Sequence, residues 1–276
     1  MKRTINCKGK LIDLESPKVM GILNVTPDSF FSESRVRSNE KMLSKVASML
    51  HDGATFIDVG AYSSRPGAPF VSEDEEKNRL YPALEIILKE FPEVLISVDT
   101  FRSKIASDAI DLGAAIINDI SAGDMDEAMF DVIADKQIPY IIMHKRGTPQ
   151  TMSSLTSYKH LIVDIISELQ LKINRLQKKG VNDIIVDPGL GFAKNTNQNY
   201  EIIKNLNSFD VLEQPILIGA SRKSMIYKVL NCKPEEALNG STIIHTASLL
   251  GGASILRVHD VKEATEAVKI TNLLKK

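Results

Sequence analysis

LISVD, residues 95–99, is apolar except for one serine and ends on an acid. Seven runs of the same kind accompany it: VMGILN (19–24), TFIDVG (55–60), AIIND (115–119), YIIMH (140–144), DIIVD (183–187), PILIGAS (215–221) and SILRVH (254–259). Short Ile- and Val-rich runs without clean polar alternation read as parallel strands buried on both faces. Eight of them separated by helical stretches predict an α/β fold, the (β/α)8 TIM barrel, whose chemistry sits at the C-terminal ends of the strands. Strand ends are therefore candidates for the site: Asn24, Asp58, Asp99, Asn118, His144, Asp187, Ser221, Arg257 and His259.

The 276 residues fit one barrel domain spanning 1–276, since such barrels need about 250 residues. With 34 basic and 35 acidic residues, the chain has no general attraction to nucleic acid or an anionic membrane. No apolar run approaches the roughly 20 residues of a membrane span. The start, MKRTINCKGKLIDLE, lacks the apolar stretch of a signal peptide. Cys7 and Cys232 lie far apart and suggest neither a metal cluster nor a disulfide framework. A reduced, cytoplasmic setting is the expectation.

Residues 3–13 alternate weakly around Lys8-Gly9, predicting a short hairpin that plugs the N-terminal end of the barrel. Helices are expected near 39–52, from the acids Glu73 to Glu76 that open the second, and near 102–112, 126–136, 158–179, 197–207, 222–230, 234–250 and 260–275. Long polar loops follow the first two strands, and long loops in a compact domain are usually functional.

The first loop begins Asn24-Val25-Thr26-Pro27-Asp28. Asn24 and Asp28 either cap turns or offer oxygen to Mg2+, which binds through few protein groups plus substrate phosphates. Phe30 and Phe31 have no periodic core to join and suit closure over a flat substrate. Arg257 and His259, two apart on a strand, share a face and suit an anion clamp. Lys223 follows Gly219-Ala220-Ser221-Arg222 at a strand mouth, where it could meet a ring or form a Schiff base.

Several of these segments together resemble dihydropteroate synthase. Gly21-Ile22-Leu23-Asn24-Val25-Thr26-Pro27-Asp28-Ser29-Phe30 looks like the family's first signature and Ser63-Ser64-Arg65-Pro66-Gly67-Ala68 like part of its second. The likeness continues, in order, through Ser97-Val98-Asp99-Thr100, Ile117-Asn118-Asp119, Met143-His144, Asp187-Pro188-Gly189-Leu190-Gly191-Phe192, Ser221-Arg222-Lys223-Ser224 and Arg257-Val258-His259. It implies condensation of (7,8-dihydropterin-6-yl)methyl diphosphate with 4-aminobenzoate in folate biosynthesis, and a target for sulfonamides. The amino group and ring N–H of a pterin form a planar donor pair that a carboxylate can accept.

By resemblance, Asp99, Asn118, Asp187 and Lys223 contact the pterin, and Met143 packs on its face. Arg257, His259 and Ser64 hold the diphosphate, and Asn24 is the Mg2+ ligand. Ser221, Arg222, Phe192, Pro66, Arg65 and Phe30 surround the 4-aminobenzoate pocket. Asp99, Lys223 and Arg257 are the expected catalytic residues. The resemblance also implies a homodimer, and the apolar segment 242–250 would permit one.

The chain departs from the family pattern at Phe31-Ser32-Glu33-Ser34, where Ser-Asp-Gly-Gly is usual, and at Ala61-Tyr62, where Gly-Glu is usual. Rival readings are a pterin-dependent methyltransferase on the same barrel and a noncatalytic pterin carrier. Neither needs the Arg257/His259 clamp. Asp58 and His144 are left without a role.

Overall fold

Side chains in a strand alternate between two faces, so residues two apart look the same way. That parity organises the whole molecule. A computed structural model describes residues 4–25, 35–62, 71–148 and 151–275. β1 (Thr4–Cys7) and β2 (Lys10–Asp13) form an antiparallel hairpin. Its turn residues Lys8 and Gly9 both have positive φ, 54° and 81°, the backbone that matches the twist of tight hairpins.

The barrel strands are β3 (Lys18–Asn24), β4 (Phe56–Gly60), β5 (Leu95–Asp99), β6 (Ile116–Asp119), β7 (Tyr140–Met143), β8 (Ile184–Asp187), β9 (Leu217–Ile218) and β10 (Ile255–Val258). They are ordered β8-β7-β6-β5-β4-β3-β10-β9 with every pair parallel. A parallel bridge between Val186 and Ile216 joins the last two edges and closes the barrel.

The expected seventh strand is the shortest. Pro215 has no N–H to donate, and Ala220 accepts a turn bond from the Lys223 N–H. Only Leu217 and Ile218 remain in the ladder.

Around the strands lie α1 (Arg35–His51), α2 (Glu73–Glu90), α3 (Ser103–Leu112), α4 (Met129–Lys136), α5 (Leu161–Lys178), α6 (Thr196–Lys204), α7 (Ser224–Tyr227), α8 (Leu238–Leu250) and α9 (Val261–Leu274). α5 buries Leu161, Ile165, Leu169, Ile173 and Leu176, one stripe at helical spacing. Ser72 caps α2, accepting from the Glu75 N–H, and four acids in its first turn favour the positive end of the helix dipole. α7 is shorter than the sequence suggests because Arg222 is left-handed, φ 55°, and Lys223 is extended. A helix cannot begin before that pair.

Two apolar clusters divide by parity. The outer one joins Val19, Ile57, Ile96, Ile117, Ile142, Val186, Ile218 and Leu256 to the helices. The inner one stacks Met20, Phe56, Ile116, Ile141, Ile185, Leu217 and Ile255 against Ile5, Cys7, Ile12 and Leu14 of the N-terminal segment. The hairpin thus closes the bottom of the barrel, as its sequence suggests. Asn6 N–H donates to Asp183 Oδ2 at 3.0 Å and Lys8 Nζ to Gly113 O at 3.1 Å, fastening it there.

Cys7 is fully buried in this plug. Burial, aided by the nearby Asp183 charge, pushes its thiol up to about 12. A thiol held neutral is a poor nucleophile. Native protein should therefore expose only the half-buried Cys232 to a thiol reagent, with Cys7 reacting on unfolding. Rapid modification of both thiols in the native protein would contradict the plug.

Candidate functional site

Two residues beyond the inner apolar layer, the same parity aims Asp58, Ser97, Asn118, Met143, Asp187, Gly219 and Arg257 into the barrel. A further step up β5 adds Asp99. The interior therefore changes within one step from apolar to charged on β4, β8 and β10 and to neutral polar on β5 and β6, while Met143 on β7 stays apolar.

Arg257 is the centre of this layer. Its Nε donates to Asp58 Oδ2 at 2.6 Å and its Nη2 to Asp99 Oδ2 at 2.8 Å. Asp58, fully buried, also accepts from Ser97 Oγ at 2.6 Å and from Asn118 Nδ2 at 3.1 Å. A buried carboxylate with three donors is fully satisfied, which is what its desolvation requires. Burial works against the Arg257 charge, yet Asp58 and Asp99 hold the guanidinium above even its ordinary high value. Burial raises the Asp99 carboxyl to about 7 against the pull of Arg257. Gly60 leaves room for Asp99: a Cβ there would sit 3.2 Å from the Asp99 Cβ.

Asp187, at the end of β8, is separated from Arg257 on β10 only by β9. Its Oδ1 accepts from Gly189 N–H at 2.7 Å. A Cβ on Gly219 would meet Arg257 Cβ at 3.9 Å, Asp187 Oδ2 at 4.0 Å and Lys223 Nζ at 4.0 Å, so these three groups converge around the glycine. Burial raises the Asp187 carboxyl, with Lys223 opposing the rise. Burial lowers the Lys223 amine to about 8, with Asp187 pulling it back up. Lys223 Nζ donates to Leu190 O at 2.5 Å and lies 4.9 Å from the centre of the Phe192 ring.

Ser221 Oγ accepts from the His259 N–H at 3.2 Å and lies 3.1 Å from His259 Nδ1. A hydroxyl that accepts from the backbone still has its own proton for Nδ1. That arrangement puts the imidazole proton on Nε2. Burial first, then the Arg257 charge, lowers His259 to about 4, so the ring acts as a neutral donor. Arg222 forms a bidentate pair with Asp260, Nε to Oδ2 at 2.9 Å and Nη2 to Oδ1 at 2.5 Å. Its remaining N–H groups are what it can offer a carboxylate.

Asp99, Asn118, Met143, Asp187, Phe192, Ser221, Lys223, Arg257 and His259 thus gather at one mouth, with Arg222 engaged at its rim. Asn24 ends β3, half buried, beside Gly60 in register. Phe30, Ser64, Arg65 and Pro66, together with Asp28, Phe31 and Glu33, lie outside the described residues. Tyr62 packs edge-on against Phe101 at 5.3 Å, with the Arg102 guanidinium 5.9 Å from its ring.

Asp58 needs correction: it has a role, as the acceptor that fixes Arg257. Parity with Phe56 on the same strand is the signal that could have found it, since an acid facing a barrel interior requires a cation. His144 points the other way, out of the mouth. Its Nε2 lies 3.0 Å from Glu168 Oε2 and its Nδ1 2.9 Å from Lys194 Nζ, a buried lysine outside the sequence candidates. Asp119 likewise faces outward, accepting from Tyr140 Oη at 2.6 Å.

The family model described as pterin binding enzyme matches residues 20–259. The dihydropteroate synthase of Escherichia coli is 40% identical over 265 residues, covering 95% of this chain and 93% of that protein. A mitochondrial folate synthesis bifunctional protein of Arabidopsis thaliana is 39% identical over 99% of this chain, which spans 52% of that protein's length. Among solved structures, Yersinia pestis dihydropteroate synthase with a sulfonamide drug complex superposes with a TM-score of 0.92 at 38% identity, covering 99% of each chain.

Replacing Asp58 by Ala should leave Ser97, Asn118 and Arg257 Nε without their common acceptor. Breaking a buried pair this way costs about 3–5 kcal/mol, and Asp99, which still holds Arg257, keeps the loss near the lower end. Urea unfolding should read it. A variant as stable as the parent would remove Asp58 from the centre of the site.

Proposed function

Since this chain belongs to the pterin-binding enzyme family, we propose that it condenses (7,8-dihydropterin-6-yl)methyl diphosphate with 4-aminobenzoate, giving 7,8-dihydropteroate and pyrophosphate. The observation that carries this reading is the single interior layer in which Asp58, Asp99, Arg257, Asp187 and Lys223 converge. A planar ring with donors on one edge and an anionic tail needs acceptors and a cation that close together.

In this reading Asp187 and Asp99 accept from the amino group and ring N–H of the pterin. Asn118 serves the mixed edge, Lys223 a ring acceptor, and Met143 a ring face. The diphosphate lies toward Arg257 and the Nε2–H of His259. Asn24 suits Mg2+ as a single carboxamide oxygen, because that ion keeps several waters and binds substrate phosphates. No cluster of three or more His, Cys, Asp or Glu able to hold a metal occurs among the described residues, so a protein cage is not the expected arrangement. When bound, Mg2+ supplies positive charge to the departing pyrophosphate. Ser221, Phe192 and the free side of Arg222 form the described part of the 4-aminobenzoate pocket. Phe30, Ser64, Arg65 and Pro66 belong to it or to the diphosphate site by resemblance.

The CH2–O bond breaks with its electron pair going to pyrophosphate. Arg257 and His259 receive that charge, and the carboxylates of Asp99 and Asp187 face the cation left on the pterin. Preorganised charge of this kind commonly contributes more to catalysis than any other single effect. The amine lone pair of 4-aminobenzoate then forms the C–N bond, and the amine gives up one proton to solvent. No protein nucleophile takes part, which disfavours a Schiff-base role for Lys223.

We further propose a cytoplasmic homodimer. Among the described residues no helix is long and apolar enough to cross a membrane. Ile243 and Leu250 on α8 and Ile270 and Leu273 on α9 are 53–70% exposed, an apolar surface that a second copy would cover.

The deciding assay follows pyrophosphate release from the diphosphate substrate. Release should require 4-aminobenzoate, fall on chelation of Mg2+, and be inhibited by a sulfonamide competitively with 4-aminobenzoate. Release independent of 4-aminobenzoate would exclude the synthase reading.

Asp187→Asn should weaken 6-hydroxymethylpterin binding on the order of tenfold or more, the scale of one charge-assisted hydrogen bond. Arg257→Ala should lower pyrophosphate affinity more than pterin affinity. Calorimetry on the two variants separates the roles, and unchanged pyrophosphate binding would rule out the clamp.

A further inference from the structure

Lys194 is a lysine only 7% exposed, on the far side of the Pro188–Ala193 loop from the barrel mouth. An ammonium has three N–H donors. They meet three close acceptors: His144 Nδ1 at 2.9 Å, Phe192 O at 2.9 Å and Gly189 O at 3.0 Å. His144 O stands slightly further, at 3.3 Å. The side chain fills a cage built largely of backbone carbonyls, as a monovalent cation would.

The cage belongs to an unusual piece of backbone. Gly189, Gly191 and Ala193 have φ of 74°, 81° and 51°, left-handed conformations that an alanine adopts only at a cost. Of their carbonyls, Gly189 O accepts from Lys194 and Ala193 O from Tyr158 Oη at 2.9 Å. Gly189 lies so close to His144 that a Cβ on it would fall 1.9 Å from His144 O. The same loop holds the site from its other face. Gly189 N–H donates to Asp187 Oδ1, Leu190 O accepts from Lys223, and Phe192 packs by the Lys223 ammonium.

His144 is fixed in turn. Its Nε2 meets Glu168 Oε2 at 3.0 Å, and Glu168 is gripped by Arg146. Glu168, a carboxylate, accepts the Nε2 proton, which leaves the Nδ1 lone pair for Lys194. Burial lowers His144 to about 4, keeping the ring neutral as this arrangement requires.

We infer that Lys194 is a positioning residue for the site: its ammonium pins the Gly189–Phe192 loop from behind, and through it orients Asp187, Lys223 and Phe192. The chain Glu168–His144–Lys194 anchors the pin to α5. Lys194 touches no substrate. This inference rests on the synthase reading for the identity of the ligand, and on geometry alone for the linkage.

The test uses Lys194→Met, which keeps the length of the side chain and removes the three donors. Met leaves His144 Nδ1, Gly189 O and Phe192 O without that donor, at about 1–3 kcal/mol for each buried group left unpaired, so urea unfolding first establishes that the variant is folded. The dissociation constant for 6-hydroxymethylpterin should rise on the order of tenfold or more, while that for inorganic pyrophosphate, held by Arg257, whose own hydrogen bonds run to Asp58 and Asp99 and not to the loop, stays within about twofold. A merely structural lysine would move both together or neither. Equal pterin affinity in variant and parent, or parallel loss of both ligands, would overturn the inference. A parent protein that binds no 6-hydroxymethylpterin would overturn the function instead.

Glu168→Gln covers the case in which Lys194→Met does not fold, because Glu168 is 39% exposed on α5. The charged and titratable groups that face Lys194 are Asp187, Lys223, Glu168, Arg146 and His144. Burial lowers the Lys194 amine to about 7, and Glu168 is among the anions that hold it up. Lys223 is set by Asp187 and Arg257 and couples to Lys194, but Glu168 is not among the charges that act on it directly. Removing the Glu168 charge should therefore move the alkaline limb of the 6-hydroxymethylpterin affinity profile to lower pH through Lys194. Profiles that superimpose for variant and parent would overturn the inference.

Discussion

One guanidinium shared by two buried carboxylates governs the rest of this molecule. Arg257 rises from β10 into the barrel interior, where a lone charge would be severely penalised by lost hydration. Asp58 from β4 and Asp99 from β5 remove that penalty at 2.6 and 2.8 Å. Three strands distant in sequence are thereby tied at the level where chemistry begins. Ser97 and Asn118 complete the coordination of Asp58, so the network extends across four strands and leaves that carboxylate fully satisfied. Beneath it the inner apolar layer and the hairpin plug exclude water, which makes each of these ionic contacts stronger.

The opposite wall is built on different physics. β8 ends at Asp187 and passes directly into a loop whose repeated left-handed residues turn carbonyls to both sides. Two lysines exploit this, Lys223 from the mouth and Lys194 from behind. The loop carries no regular secondary structure, so its shape depends on these cations and on glycines that permit close backbone contact. A rigid ionic wall and a cation-pinned loop thus face each other across a space suited to a flat, polar ring.

Much of this was legible in the sequence. The eight apolar runs predicted strands that mostly fall within a residue or two of the observed ones, because a parallel strand buried on both faces has a composition few other elements share. The helix stripe of α5 was equally plain. Legibility failed where a strand was interrupted rather than composed: PILIGAS reads as seven residues of strand, but Pro215 and the Gly219–Lys223 turn leave only two. It failed again at Asp58, whose importance depends on Arg257, 199 residues away. His144 was nominated by its place at a strand end, whereas side-chain parity points it out toward Glu168 and Lys194.

The sequence by itself determined the barrel, the hairpin beneath it and the set of polar residues near its mouth, because burial periodicity and turn chemistry are local properties of a chain. Tertiary structure alone decided which of those residues act together. Strand register placed Asp58 and Asp99 within reach of one Arg257, helix packing brought Glu168 to His144, and a glycine with no Cβ let Lys194 enter a cage of carbonyls. Charge pairing and close backbone approach are relations between distant segments, and they come into being only when the barrel closes.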